Sequence, residues 1–160
     1  KAGWDNKWEL FSDWAVKGQA YKEQLLFLVD EDTNAFNKII DGFRMPKDTN
    51  EEKQARALAI ENATIYATEI PFKVMETAFQ SMEVMQAMLK DGLQNSLSDA
   101  GVGVLCARTA VIGAYFNVRI NAKDIKDRTF AASILAKAAI IYKQTIAIEN
   151  DTIAFIDSKI

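Results

Sequence analysis

Only two prolines, Pro46 and Pro71, and seven glycines punctuate 160 residues, and this scarcity of chain-turning residues constrains the fold more than any motif does. A β-sandwich or barrel needs a turn roughly every eight to twelve residues, which this chain has few means of making. With 49% hydrophobic and 26% charged residues it still carries enough apolar side chain for one core of ordinary domain size. Long helices packed side by side are the remaining solution.

The apolar residues recur with the helical period. Trp4, Trp8, Phe11 and Ala15 follow one side of a first helix, which Gly18 is expected to interrupt or bend. From about Gln19 to Phe43 a second stripe returns at roughly 100° per residue through Leu25, Leu28, Val29, Phe36, Ile39, Ile40 and Phe43; Arg44-Met45-Pro46 stops it. Thr49 with Glu52 three residues on is a capping box that starts a helix to about Thr68, and Pro71 marks a break or a new first turn. Phe72, Met75, Phe79, Met82, Met85 and Met88 then recur at helical spacing as core, with a flexible pocket lining as the less favoured reading. Asp91-Gly92 ends that run. Ser98 is the expected N-cap of a helix rich in small residues, Ala100, Gly101, Gly103, Ala107, Ala110, Gly113 and Ala114, which allow close backbone approach. Arg108 within that apolar run argues against a membrane span. In the last helix Ile134, Ala138, Ile141, Thr145, Ile148, Thr152 and Phe155 form a heptad seam. The expectation is all-α: an elongated antiparallel bundle of about five to six helices forming a single domain over residues 1–160.

Composition removes several chemistries. There is no histidine, the commonest general base and metal ligand, and a lone Cys106 makes neither an internal disulfide nor a cysteine-rich zinc site, so no metal is expected. Nineteen basic and 22 acidic residues give a net charge of −3, which disfavours a nucleic-acid partner. No signal-peptide pattern opens the sequence, so a cytoplasmic location is expected, and the missing initiator methionine suggests a segment of something longer.

Asp32 stands out because it falls near the middle of the stripe formed by Leu25, Leu28, Phe36, Ile39 and Phe43, whereas Asp30 and Glu31 rotate away. A carboxylate in an apolar stripe is expected to be buried. It is then either a structural ion pair or the acid/base group of an enzyme without histidine, and the catalytic reading is slightly preferred. A second candidate is Asn95-Ser96-Leu97-Ser98-Asp99, where polar side chains converge on a helix start. Asn117 and Asn121, four apart, are amides able to read a heterocycle's edge or to cap the helix. Arg119, Lys123, Lys126 and Arg128 form a basic cluster interleaved with Asp124 and Asp127, either a solvated surface or a seat for a polyanionic tail.

Four blocks in order carry a resemblance: Val29-Asp30-Glu31-Asp32-Thr33-Asn34-Ala35-Phe36-Asn37, Pro71-Phe72-Lys73-Val74-Met75-Glu76-Thr77-Ala78, Ser98-Asp99-Ala100-Gly101-Val102-Gly103-Val104-Leu105-Cys106-Ala107-Arg108, and Asn117-Val118-Arg119-Ile120-Asn121. In these the chain resembles the formiminotransferase-cyclodeaminase family. The resemblance implies a dimeric, all-helical domain that closes 5-formiminotetrahydrofolate to 5,10-methenyltetrahydrofolate and releases ammonia in histidine breakdown. A related branch hydrolyses methenyltetrahydrofolate. The chain departs from the family in lacking its opening helix, a glycine-rich run followed by serine, since the sequence starts downstream of where that helix is expected.

Ring closure needs a base for the attacking nitrogen and an acid for departing ammonia, and one carboxyl group can serve both in turn. Asp32 is the first candidate and Asp99 the second, with Asn95, Ser98, Asn117, Asn121 and Lys123 as substrate contacts. The implied partner is a tetrahydrofolate substrate, in free or polyglutamylated form, with no permanently bound cofactor. A cyclohydrolase and a non-catalytic helical dimer or scaffold remain the rival readings.

Overall fold

The computed structural model describes residues 5–160, which fold into four α-helices preceded or joined by two short 3-10 turns. Trp4, assigned above to the first apolar stripe, lies outside the described residues. Helix α1 runs Trp8–Arg44, α2 Asn50–Asp91, α3 Leu97–Asn121 and α4 Arg128–Asp157. At 42 residues α2 spans about 63 Å at 1.5 Å rise per residue, so the bundle is elongated, as expected. Lys7 at the start of α1 pairs with Asp91 at the end of α2 (3.7 Å), and Asn121 at the end of α3 reaches Ala67 on α2, so successive helices run antiparallel. Helices α1 and α3 each lie along α2 with little mutual contact, and α4 packs mainly on α3.

Two expected breaks are absent. Gly18 sits inside continuous α1, because packing against α2 outweighs the roughly 1 kcal/mol that glycine costs in a helix interior. A methyl group at this position would stand 3.6 Å from Val84 Cγ1, an ordinary contact. Gly18→Ala is therefore expected to stabilise the protein by about 0.4 to 1 kcal/mol, read as an increased urea midpoint; a lower midpoint would show that α1 needs glycine there.

Pro71 likewise lies within α2 and is buried. Proline has no N–H, so the carbonyl four residues earlier, Ala67 O, loses its helical donor. The side-chain amide of Asn121 supplies it, Nδ2 to O at 2.7 Å. The two interruptions explain why four helices stand where five to six were expected.

Local signals held where no tertiary contact opposed them. Thr49 and Glu52 form the expected capping box, with Thr49 Oγ1 accepting from Glu52 N at 3.2 Å and Glu52 Oε2 accepting from Thr49 N at 3.0 Å. Helix α3 instead starts one residue before the expected cap: Ser96 holds the N-cap position, and Ser98 is an exposed residue of the first turn.

The main core joins Met75 and Ala78 of α2, Val111, Ala114 and Val118 of α3, and Ile134 and Ala138 of α4. The α4 seam is thus covered within one chain. Ile134, Ala138, Thr145 and Thr152 are buried, and Thr145 returns its hydroxyl to Ile141 O at 2.8 Å, so the threonines cost no unmet hydrogen bond at that point. Ile141 and Ile148 are half-buried and Phe155 lies at the rim.

Candidate active site

Among the described residues helix α1 leans almost wholly on α2, so its covered strip is narrow: Leu28, Ala35 and Gly42, seven residues apart, with Leu25 and Ile39 half-buried beside them. Val29, Phe36 and Phe43, on the other edge of the sequence stripe, are 64%, 62% and 55% exposed. Asp32 is exposed with them. The expectation of a buried Asp32 is therefore corrected for the single chain. The stripe is real, yet one neighbouring helix covers only one side of it. No cation or donor faces Asp32 among the described residues, so one copy holds no ion pair there.

Glu31, expected to rotate away, turns toward α2 instead. Its carboxylate accepts from Tyr66 Oη and from Asn34 Nδ2 (2.9 Å), and these bonds hold it below the usual carboxylate range while Glu31 raises the Tyr66 phenol. A second rung at the other end has the partners exchanged: Tyr21 of α1 donates to Glu83 of α2. Lys17, 2.7 Å from Glu83, and then Tyr21 lower the Glu83 carboxyl, and Glu83 pushes Tyr21 up to about 12.

The pH dependence follows from these directions. The lowered carboxyls contribute stability above about pH 4.5 that is lost as pH falls through their folded-state values, and the raised phenols contribute stability below pH 10 that is lost toward about 12. The stability difference between the natural chain and a Tyr21→Phe/Tyr66→Phe variant is expected to be flat from about pH 5 to 9 and to shrink beyond both limits. A difference that is constant in urea titrations from pH 3 to 11 would show that neither rung is formed.

A cleft opens where the start of α1, the end of α2 and the start of α3 meet. It has a volume of about 760 Å³ and is walled by Trp8 and Phe11 of α1, Val84, Met85 and Met88 of α2, and Leu93; Ser96 and Asp99 supply its polar groups. Gly92 makes this corner possible, since a Cβ there would stand 2.3 Å from Met88 O. The methionine run divides accordingly. Met75 and Met82, seven apart, are fully buried core, whereas Met85 and Met88 turn to the cleft. Their spacing was visible in the sequence, but which pair faced the opening depended on where α1 begins.

The site residues named from sequence fall into two stations. Asn95, Ser98 and Asp99, all exposed, lie in the turn and first helical turn beside the cleft. Asn117, exposed, and Asn121, half-buried, lie toward the other end of α3, about 27 and about 33 Å from Asp99 along the axis. Lys123 follows in the α3–α4 turn, its side chain in solvent and its carbonyl accepting from Arg128 Nη1 at 3.2 Å. Glu31 and Asn121 grip adjacent residues of α2, Tyr66 and Ala67, so Asp32 belongs with the second station. One copy of the chain does not bring Asp32 and Asp99 together. Among the described residues no group of three or more Cys, Asp or Glu side chains is placed to hold a metal.

Among the described residues the chain is an all-helical antiparallel bundle with an apolar cleft that carries one carboxylate. The family is settled by comparison: the model of the formiminotransferase-cyclodeaminase family matches residues 1–140, and the chain belongs to that family. A formimidoyltransferase-cyclodeaminase of Mus musculus is 39% identical over 111 residues, which cover 69% of this chain and 20% of that protein. The chain thus spans about a fifth of the mouse relative's length. A methenyltetrahydrofolate cyclohydrolase of Methylorubrum extorquens is 30% identical over 144 residues, 90% of this chain and 69% of that protein. The formiminotetrahydrofolate cyclodeaminase of Thermotoga maritima has the same fold, with a TM-score of 0.84 at 18% identity over 99% of this chain and 75% of that one.

Proposed function

We propose that this chain converts 5-formiminotetrahydrofolate to 5,10-methenyltetrahydrofolate with release of ammonia. The supporting observation is the family match over residues 1–140, joined to an apolar cleft of about 760 Å³, a volume in the range of small-molecule sites. In the reaction N10 attacks the formimino carbon, loses its proton, and ammonia leaves from that carbon after protonation. Asp32 takes and returns the proton in this reading. Asp99 holds the cationic or amino edge of the substrate, Asn95, Ser98, Asn117 and Asn121 orient it, and Lys123 meets its acidic tail.

Because Asp32 and Asp99 lie at opposite ends of one copy, the reading requires two copies. The exposed Val29, Phe36 and Phe43 beside Asp32 supply an apolar face for that association, and covering them would desolvate the carboxylate. The α4 seam, spent inside the chain, is not needed for it. Light scattering at micromolar concentration is expected to give twice the chain mass, and a monomeric mass refutes the dimer.

The Methylorubrum relative favours a second reading, hydrolysis of methenyltetrahydrofolate by water in the same pocket. Purified protein incubated with each folate separates the two. Methenyl absorbance appearing together with ammonia from the formimino substrate supports the first; consumption of methenyl substrate with no ammonia from the formimino compound replaces it with the second. Folate binding without either turnover would leave a non-catalytic scaffold.

A further inference from the structure

We propose that the cleft between α1, α2 and α3 is the seat of the aminopyrimidine edge of the substrate's pterin ring, that Asp99 reads this edge, and that Gly103 keeps the seat open. The proposal rests on the folate reading and adds to it which part of the molecule enters and which residue sets the room available.

The cleft matches a flat bicyclic ring better than a chain or a sugar. Its lining includes two aromatic rings, Trp8 and Phe11, and the soft thioethers of Met85 and Met88, all of which favour contact with an aromatic face over a hydroxylated surface. Its volume of about 760 Å³ lies within the range of small-molecule sites, roughly 300 to 1,000 Å³. Against this apolar lining stands one anionic group, Asp99, with the hydroxyl of Ser96. A carboxylate offers two parallel acceptors. The N3–H and 2-amino group of a 2-amino-4-oxopteridine offer two parallel donors, so the edge and the acid are complementary, whereas a 2,4-dioxopteridine turns an acceptor toward the same oxygens. The nearby cation, Lys7, is drawn to Asp91 at the rim, with Nζ 3.7 Å from Oδ1 and 3.4 Å from the Asp91 carbonyl.

Gly103 touches none of this directly. It lies one helical turn beyond Asp99, and a Cβ there would stand 2.9 Å from Met85 Cγ. That atom is close to the α2 backbone, so Met85 must swing away from α3 when position 103 gains a side chain. The cleft is the open space beside it. Gly103 thus acts as a positioning residue for Met85.

The probes are 2-amino-4-oxopteridine and 2,4-dioxopteridine, titrated calorimetrically into the natural chain and its variants, with circular dichroism as the folding control. The amino compound is expected to bind at least about tenfold more tightly than the dioxo compound, and Asp99→Asn is expected to erase most of that preference by weakening only the amino compound, about 10- to 100-fold. Gly103→Ala is expected to weaken both compounds alike, and Gly103→Ala/Met85→Ala to restore both, since the shorter side chain no longer fills the cleft. Equal affinity for the two compounds, an unchanged preference in Asp99→Asn, or a Gly103→Ala chain that is folded and binds normally would overturn the proposal. Turnover separates this from the wider reading: a chain that turns folate over while Asp99→Asn keeps its ring preference rejects the cleft and spares the function. A chain that binds the amino compound as described but turns over neither folate keeps the cleft and rejects the function.

Discussion

Asp32→Asn is expected to lower turnover of formiminotetrahydrofolate by about 10²- to 10⁴-fold, the usual contribution of a positioned acid/base group. Within a single copy the structure supplies no ion pair to rival it. A buried ion pair at Asp32 would make the same substitution cost about 3 to 5 kcal/mol, but the side chain is exposed and has no cationic partner among the described residues. Below the dimer dissociation range the stability of Asp32→Asn, read by urea denaturation, is therefore expected to change by no more than about 0.5 kcal/mol. The two readouts are independent, one catalytic and one thermodynamic. Full activity per folded molecule in Asp32→Asn would end the catalytic assignment and pass the role to Asp99. Because desolvation of Asp32 comes from association in this reading, specific activity is also expected to fall on dilution through the dimer dissociation range.

The second large effect lies at Asn121. Asn121→Ala removes the only donor described for Ala67 O, a carbonyl that Pro71 has already deprived of its helical partner, and is expected to cost about 1 to 3 kcal/mol without ligand. In a Pro71→Ala background the restored N–H at position 71 can close the ordinary helical bond, so the same Asn121→Ala change should cost about 1 kcal/mol less or better. A double-mutant cycle by urea denaturation reads the coupling directly. Equal costs in the two backgrounds would mean that the amide does not stand in for the missing donor. The cycle also bears on the substrate role given to Asn121, because one of its two Nδ2 hydrogens is engaged in the fold, which leaves the other and Oδ1 for a ligand.

What the sequence determined by itself was whatever depends on neighbours a few residues away. Scarce turn residues and a helical apolar period sufficed for an all-α bundle, and Thr49 and Glu52 sufficed for a helix start, since a capping box is closed by atoms three residues apart. The ordered blocks sufficed for the family. What needed the tertiary structure was every question of which side of a helix is covered and by what. Gly18 and Pro71 read as breaks because their local costs are unfavourable, and only packing on α2 and the distant amide of Asn121 offset them. Asp32 and Glu31 exchanged expected environments because a helix with one neighbour buries a strip narrower than its apolar arc, so α1 turned Leu28, Ala35 and Gly42 inward and left Val29, Asp32 and Phe36 in solvent. The cleft was beyond sequence for the same reason: Trp8, Met85 and Asp99 are far apart along the chain, and only the antiparallel register of three long helices sets them around one space.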